Sequence, residues 1–270
     1  MGMSTKNPGC IIFMIDQSAS MRESWHKSKY SLSFEVARAV NLMLEELFES
    51  NRREDQIIPR IMIGCYGYSG INDVNWAIPD VNPDSDGLIH ISDLEDCLNE
   101  ISDDEFEKLI SWFVHENSHG GTPMRVAFEK AAQIAERFTE NYPDSYPPVI
   151  INITDGFPTD CAVEELPEVV LPIMNLKTSD GVSLIFNIHI SLDSTPSIFF
   201  PKISDILPDV NSEHLLNASS TIPSSFVAKM GEIGRKEFPI HENAKCLVYN
   251  ADSSTLMEAI RVIVWGIYSK

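Results

Sequence analysis

Asp16, Ser18 and Ser20 occupy alternating positions in the segment Ile15-Asp16-Gln17-Ser18-Ala19-Ser20, directly after a short apolar run. A carboxylate and two hydroxyls on alternate residues of a tight loop can aim several oxygens at one centre. Such oxygens are hard ligands, suited to Mg2+, Mn2+ or Ca2+. Two later segments offer the same chemistry. Gly120-Gly121-Thr122-Pro123 places a hydroxyl on a glycine turn ahead of a helix, and Thr154-Asp155-Gly156 places a carboxylate at the end of a strand. Taken singly, each has a plainer account: an Asx or ST turn, a loop before a helix, a turn. In combination and in this order, they point to a shared divalent-cation site.

The elements that must position these groups alternate along the chain. Short β-branched apolar runs at Cys10–Ile15, Ile57–Tyr66, Val149–Ile153, Val182–Ile190 and Lys245–Tyr249 read as strands buried on both faces. Between them, apolar residues recur at helical spacing: Val36, Val40, Met43, Leu44 and Leu47 within 31–50, then Val126, Ala127, Ala131, Ile134, Ala135 and Phe138 within 123–141. Leu256, Ile260, Ile263, Val264 and Ile267 form a third stripe, with Thr255 and Glu258 at capping-box spacing. Pro123 suits a first helical turn, where its missing N–H costs nothing.

This alternation predicts an α/β fold with a doubly wound, mostly parallel central sheet and helices on both faces. Gly70 and Asn72 between 57–67 and 74–78 predict a hairpin, hence one antiparallel edge strand. In such sheets functional groups gather beyond the carboxyl ends of the strands, where Asp16 and Asp155 fall. Two stretches break the rhythm and read as insertions into one domain spanning 1–270, near 79–117 and 191–225. The first is acidic, with short helices expected around Leu94–Ile101 and from Asp104. The second carries Pro196, Pro201, Pro208 and Pro223.

The chain has 270 residues, 43% of them apolar, enough for a real core. Its 40 acids against 20 bases give a formal charge of −20. That field repels phosphate backbones and anionic lipid, so neither nucleic acid nor membrane is expected as a partner. The apolar run before Asp16 is too short for a signal h-region or a spanning helix. The five cysteines form no CxxC pair and read as free thiols of a reducing, cytoplasmic compartment. Lys6 stands where a myristoylation signal needs Ser or Thr.

The three segments together resemble the metal-ion-dependent adhesion site of the von Willebrand factor A (vWA) family, a DxSxS motif followed by a loop Thr and a later strand-end Asp. The resemblance runs from Cys10 to about Tyr268, with no departure at Asp16, Ser18, Ser20, Thr122 or Asp155. It implies a sheet with one antiparallel edge strand and a Mg2+ site, with Mn2+ or Ca2+ as substitutes. It further implies that Ser18, Ser20 and Thr122 supply hydroxyl oxygens, that Asp16 and Asp155 bind directly or through water, and that a partner protein's Asp or Glu fills the open position. In lacking a targeting segment, the chain is similar to bacterial stand-alone vWA proteins of the tellurium-resistance type. That likeness implies a non-enzymatic adaptor or regulatory subunit in a stress, signalling or defence complex, with a kinase, phosphatase or AAA ATPase as partner.

Specificity should come from the rim. Met21, Arg22, Trp25 and His26 follow the first motif, His115 and His119 precede Thr122, and Phe157 and Pro158 follow Asp155. Arg and Trp are enriched at binding hot spots, although Trp25 suits packing on the sheet's top edge equally well. The histidines have no zinc-site spacing, and the acidic stretch lacks EF-hand spacing. The competing function is a metal-assisted hydrolase or phosphatase. Against it, no nucleophile and base pair accompanies the motif, Ser18 breaks the DxDx pattern, and no GxxxxGK[ST] loop is present.

Overall fold

The computed structural model describes residues 3–25, 29–98, 113–193, 195–233 and 240–268. Its centre is an eight-stranded sheet. The strands are β1 (Gly9–Asp16), β2 (Ile61–Ser69), β3 (Asp73–Trp76), β4 (Ile89–His90), β5 (Val149–Thr154), β6 (Leu184–Ile190), β7 (Ile198–Phe199) and β8 (Leu247–Ala251). Their order is β7-β8-β6-β5-β1-β2-β3, with β4 also paired to β2. The five central strands, β8, β6, β5, β1 and β2, run parallel. The expected antiparallel hairpin is β2–β3, which turns through Gly70. Short antiparallel strands also lie at β4 against β2 and at β7 against β8.

Side chains alternate across β1, and each face gathers its own helices. Ile11, Phe13 and Ile15 point into a cluster with Val36, Val40, Leu44, Leu256, Ile260 and Ile263. These come from α1 (Leu32–Ser50) and from the C-terminal helix (Ser253–Tyr268). Cys10, Ile12 and Met14 point the other way, into a cluster with α2 (Met124–Asn141), the short helices α3 (Leu166–Val169) and α4 (Leu171–Asn175), and α5 (Val210–Asn217). The ladder thus has helices on both faces, which is why its strands read as continuous apolar runs. Helix α6 (Ser224–Ile233) packs on the C-terminal helix, α7.

Local chemistry sets the helix starts. The Ser31 hydroxyl accepts the Phe34 N–H at 3.2 Å and caps α1. At α7 the cap is Asp252, whose carboxylate accepts the Thr255 N–H at 2.8 Å, so Thr255 lies inside the helix and the capping-box reading there is corrected. Asp252 stands one residue before the helical run, where a side-chain acceptor reaches a free N–H of the first turn, whereas Thr255 already lies within that turn. The stretch around 94–101 forms a 3-10 helix at Ile91–Cys97, and residues 99–112, including the helix expected from Asp104, lie outside the described residues. The proline-bearing stretch 191–225 contains β7 and α5.

Candidate metal centre

Parallel pairing brings the two carboxylates together. Ile15 of β1 is in register with Ile153 of β5, so Asp16 and Thr154 follow side by side at the carboxyl edge. The Asp16 carboxylate is fully buried. Its Oδ1 accepts the Ser18 N–H at 2.8 Å and its Oδ2 accepts the Thr154 hydroxyl at 2.7 Å. The first bond closes an Asx turn, which throws the chain into a 3-10 turn, Ala19–Arg22. The Ser18 and Ser20 hydroxyls share a hydrogen bond at 3.0 Å, and Ser20 Oγ donates to Asp155 Oδ1 at 3.0 Å. Asp16, Ser18, Ser20 and Asp155 therefore form one connected constellation.

Thr122 reaches the same edge on a third loop, stitched to both others. Ala19 N–H donates to the Gly120 carbonyl at 2.9 Å, and His119 N–H donates to the Gln17 carbonyl at 2.7 Å. Thr122 and Thr159 exchange two bonds of 2.9 Å, Thr122 N–H to Thr159 Oγ1 and Thr159 N–H to the Thr122 carbonyl. Thr122 is itself buried. No hydrogen bond of its hydroxyl to the other four residues is present among the described residues. Gly120 has φ +68°, and a Cβ there would lie 2.5 Å from the Gly70 Cα. Only glycine permits this backbone approach between the Thr122 loop and the β2–β3 turn.

Several supporting residues escape sequence reasoning. Thr154 fixes the second oxygen of Asp16. Asp160 caps α2 by accepting the Arg125 and Val126 N–H groups at 3.1 and 3.0 Å, so the loop after Asp155 also anchors the helix after Thr122. Beneath the site, Tyr68 donates to Asn152 Oδ1 at 2.8 Å and Asn152 donates to Asn187 Oδ1 at 2.9 Å, a fully buried polar row. His189 stacks on Tyr249 at 4.2 Å, and burial holds its imidazole down at about 4, so it is neutral. In sequence, only the polar interruption of apolar runs at Asn152, Asn187 and His189 hints at this layer.

The rim differs from expectation. Trp25 is buried in the core, because the Ser24–Ser31 bridge and the Trp25 N–H to the Tyr30 carbonyl fold its segment inward. Met21 is buried too. The Arg22 Nε donates to the Ser118 carbonyl at 2.8 Å, and the His119 ring bonds the Ser69 hydroxyl at 3.2 Å. His26 lies outside the described residues. The exposed apolar groups nearby are Phe157 and Ile71, the latter in the β2–β3 turn.

Electrostatics define what the site lacks. Burial first, then the charge of Asp155, pushes Asp16 up to about 7, against the opposing bonds from Thr154 and Ser18. Burial likewise raises Asp155, opposed by the Ser20 bond. Neither carboxylate has an ion-pair partner among the described residues. Two coupled carboxylates joined to serine hydroxyls, with no cationic partner among the described residues, fit a hard divalent ion. Among the described residues no group of three or more His, Cys, Asp and Glu could hold a metal, so an ion at this edge would depend on the hydroxyls beside the two carboxylates.

No family model matches the chain, and no curated protein matches it. Solved structures give partial likenesses. The vWF domain of the type V pili tip protein Mfa5 from Porphyromonas gingivalis is 13% identical at a TM-score of 0.35, covering 57% of this chain and 40% of that one. The PilB minor pilin from Streptococcus sanguinis is 14% identical at 0.34, covering 58% and 31%. Proximal thread matrix protein 1 from the mussel byssus is 13% identical at 0.46, covering 99% and 50%. The chain thus spans half or less of the length of each of these structures.

Proposed function

We propose that the chain is a von Willebrand factor A-type protein-interaction module whose contact with its partner depends on a divalent cation, Mg2+ first. The observation that carries this reading is the pair Asp16 and Asp155, one buried and one half-buried, linked through the Ser18 and Ser20 hydrogen bonds with no ion-pair partner among the described residues. Asp16, Ser18, Ser20, Thr122 and Asp155 would hold the ion. When bound, its two charges would be balanced by Asp16 and Asp155, and a coordination position left to water would be open to an acidic side chain. That offers an acidic protein a local attraction for a partner's Asp or Glu. Exposed Phe157 and Ile71 give a flanking apolar contact, so the preferred partner presents its carboxylate beside apolar side chains.

The hydroxyl-rich set supports binding over catalysis, because the hydroxyls and carboxylates hold one another in place. Four buried and one partly buried free cysteine accord with a reducing, cytoplasmic setting. No helix among the described residues is long and apolar enough to cross a membrane.

The test is thermal unfolding of the wild type and of Asp16→Ala in EDTA, Mg2+, Mn2+ and Ca2+. At a hundred times its dissociation constant, a bound ion stabilises by about 2.7 kcal/mol, a shift of several degrees. The expected result is a wild-type shift absent from the variant, followed by Mg2+-dependent capture of a partner. Phosphoester turnover lost in Asp16→Ala would instead establish the hydrolase reading.

A further inference from the structure

At the opposite, amino end of the strands lies a cavity of about 200 Å3, mostly apolar in its lining but edged by two arginines, with Met3, Asn51, Arg53, Arg60, Trp265 and Tyr268 among its walls. Its two arginines are the unusual feature. In a chain with 40 acids and 20 bases, neither Arg53 nor Arg60 has an acidic partner among the described residues, whereas neighbouring Arg52 pairs with Glu49 at 2.8 Å. Burial first, then the charge of Arg53, lowers the titration of the Arg60 guanidinium.

The cavity is built from fixed parts. The Arg60 carbonyl accepts the Gly9 N–H at 2.8 Å, which ties its backbone between β1 and β2. Its Nε donates to Asn51 Oδ1 at 3.0 Å, and the buried Asn51 is pinned in turn by Nδ2 donating to the Leu47 carbonyl at 2.7 Å. That leaves the terminal nitrogens of Arg60 with no protein acceptor among the described residues. The aromatic walls are equally anchored: Tyr268 donates to the Cys10 carbonyl at 2.7 Å, and Trp265 Nε1 donates to Glu46 at 3.1 Å.

We propose that this cavity binds a small oxyanion, a carboxylate or phosphate group engaged by Arg53 and Arg60, with any short apolar body lying against Trp265. A guanidinium fork matches both oxyanions, and a second cation relieves no repulsion until an anion arrives between them. The site is independent of the cation centre, which lies at the other end of the strands.

The experiment is titration of the full chain with inorganic phosphate, phenyl phosphate and benzoate, read by tryptophan fluorescence and thermal shift, against NaCl at matched ionic strength. The expected result is saturable binding of at least one anion, weakened tenfold or more in Arg60→Gln and in Arg53→Gln, and partly restored in Arg60→Lys. Arg53 is exposed, so its variant tests the site even if Arg60→Gln unfolds. Phosphate against benzoate tells the two oxyanions apart, and Trp265→Phe assigns the optical signal. Asp16→Ala should bind anion normally, which separates this proposal from the cation reading. A response no greater than that to NaCl, or equal affinities in wild type and Arg53→Gln, would overturn it.

Discussion

Thr154 Oγ1 donates to Asp16 Oδ2 at 2.7 Å, joining side chains 138 residues apart at the ends of two adjacent parallel strands. The bond orients the buried carboxylate from behind and leaves its neighbourhood open toward Ser18, Ser20 and Asp155. Thr154→Val keeps the shape and deletes the donor. A hydrogen bond to a charged group is worth about 1.5–3 kcal/mol, so the urea midpoint at pH 8 should fall accordingly. Supporting partners of a metal ligand typically change affinity by about 10–100-fold, so Mg2+ titration should show a weaker site. An unchanged Mg2+ affinity would remove Thr154 from the positioning of Asp16.

The raised titration of Asp16 makes stability depend on pH in a defined direction. Burial and the Asp155 charge push it up to about 7. Between the ordinary carboxylate range and pH 7 the folded chain therefore holds a proton that the unfolded chain has lost. In chelator-treated protein this contribution is fully present below about pH 4 and is lost as pH rises through 7. Denaturant midpoints of wild type and Asp16→Asn should diverge over that window, with the fall attributable to Asp16 missing from the variant. Divalent ions displace the proton, so the Mg2+ shift should be larger at pH 8 than at pH 5.5.

Gly120 is the closest approach between the Thr122 loop and the β2–β3 turn. With φ +68° and Gly70 Cα 2.5 Å from the site of a Cβ, Gly120→Ala strains the backbone and separates the two segments. The expected cost is about 1–3 kcal/mol. The metal response should be lost together with that stability, since Thr122 is carried on the same loop. A variant of normal metal affinity would show that Thr122 does not need this anchor.

Asp160 couples the third loop to helix α2. Asp160→Ala removes acceptors for the Arg125 and Val126 N–H groups and should destabilise by about 0.5–2 kcal/mol. Ser31→Ala removes the cap of α1 at similar cost, but the Ser31 hydroxyl bonds Phe34 and Ser33 and has no hydrogen bond to the five oxygen-bearing residues among the described residues. Mg2+ affinity should therefore drop in the first variant and hold in the second, as read by calorimetry. Equal affinities would show that capping at α2 is structural only.

The buried row from Tyr68 through Asn152 to Asn187 gives a last prediction. Asn152→Leu strands the Tyr68 hydroxyl and the Asn187 amide oxygen in apolar surroundings. Each unsatisfied group costs about 1–3 kcal/mol, so the variant should lose several kcal/mol in a denaturant titration despite its greater hydrophobicity. A neutral result would mean that water reaches the row.

What could be read in the chain and what could not divide along a physical line. The strands at Cys10–Ile15 and Val149–Ile153 were legible because both their faces are covered, and covered strands are apolar throughout. Asp16 was legible because it directly follows such a run, and Asp155 because it stands one residue beyond one. Thr154 was written beside Asp155, yet its role depends on the register between β1 and β5, which no local pattern encodes. For Trp25 the sequence left packing and rim exposure equally open, since a bridge between Ser24 and Ser31 decides its direction. Thr255 had the right spacing for a cap and lost that place to Asp252, a stronger acceptor nearer the helix start. Ile71 belongs to the rim only because the hairpin turn lies against the Thr122 loop.

The sheet's outer strands have a consequence for assembly. On one side β2 is flanked by the four-residue β3 and the two-residue β4, and on the other side β8 is flanked by the two-residue β7. Such brief borders expose few free backbone N–H and C=O groups in a row, so another chain has little template for pairing onto them. Copies of this molecule cannot readily zip together laterally into a continuous ribbon. Crowded solutions of the protein should therefore stay free of amyloid-type growth as long as the native state persists, and any larger architecture it enters must be joined through side chains and loops.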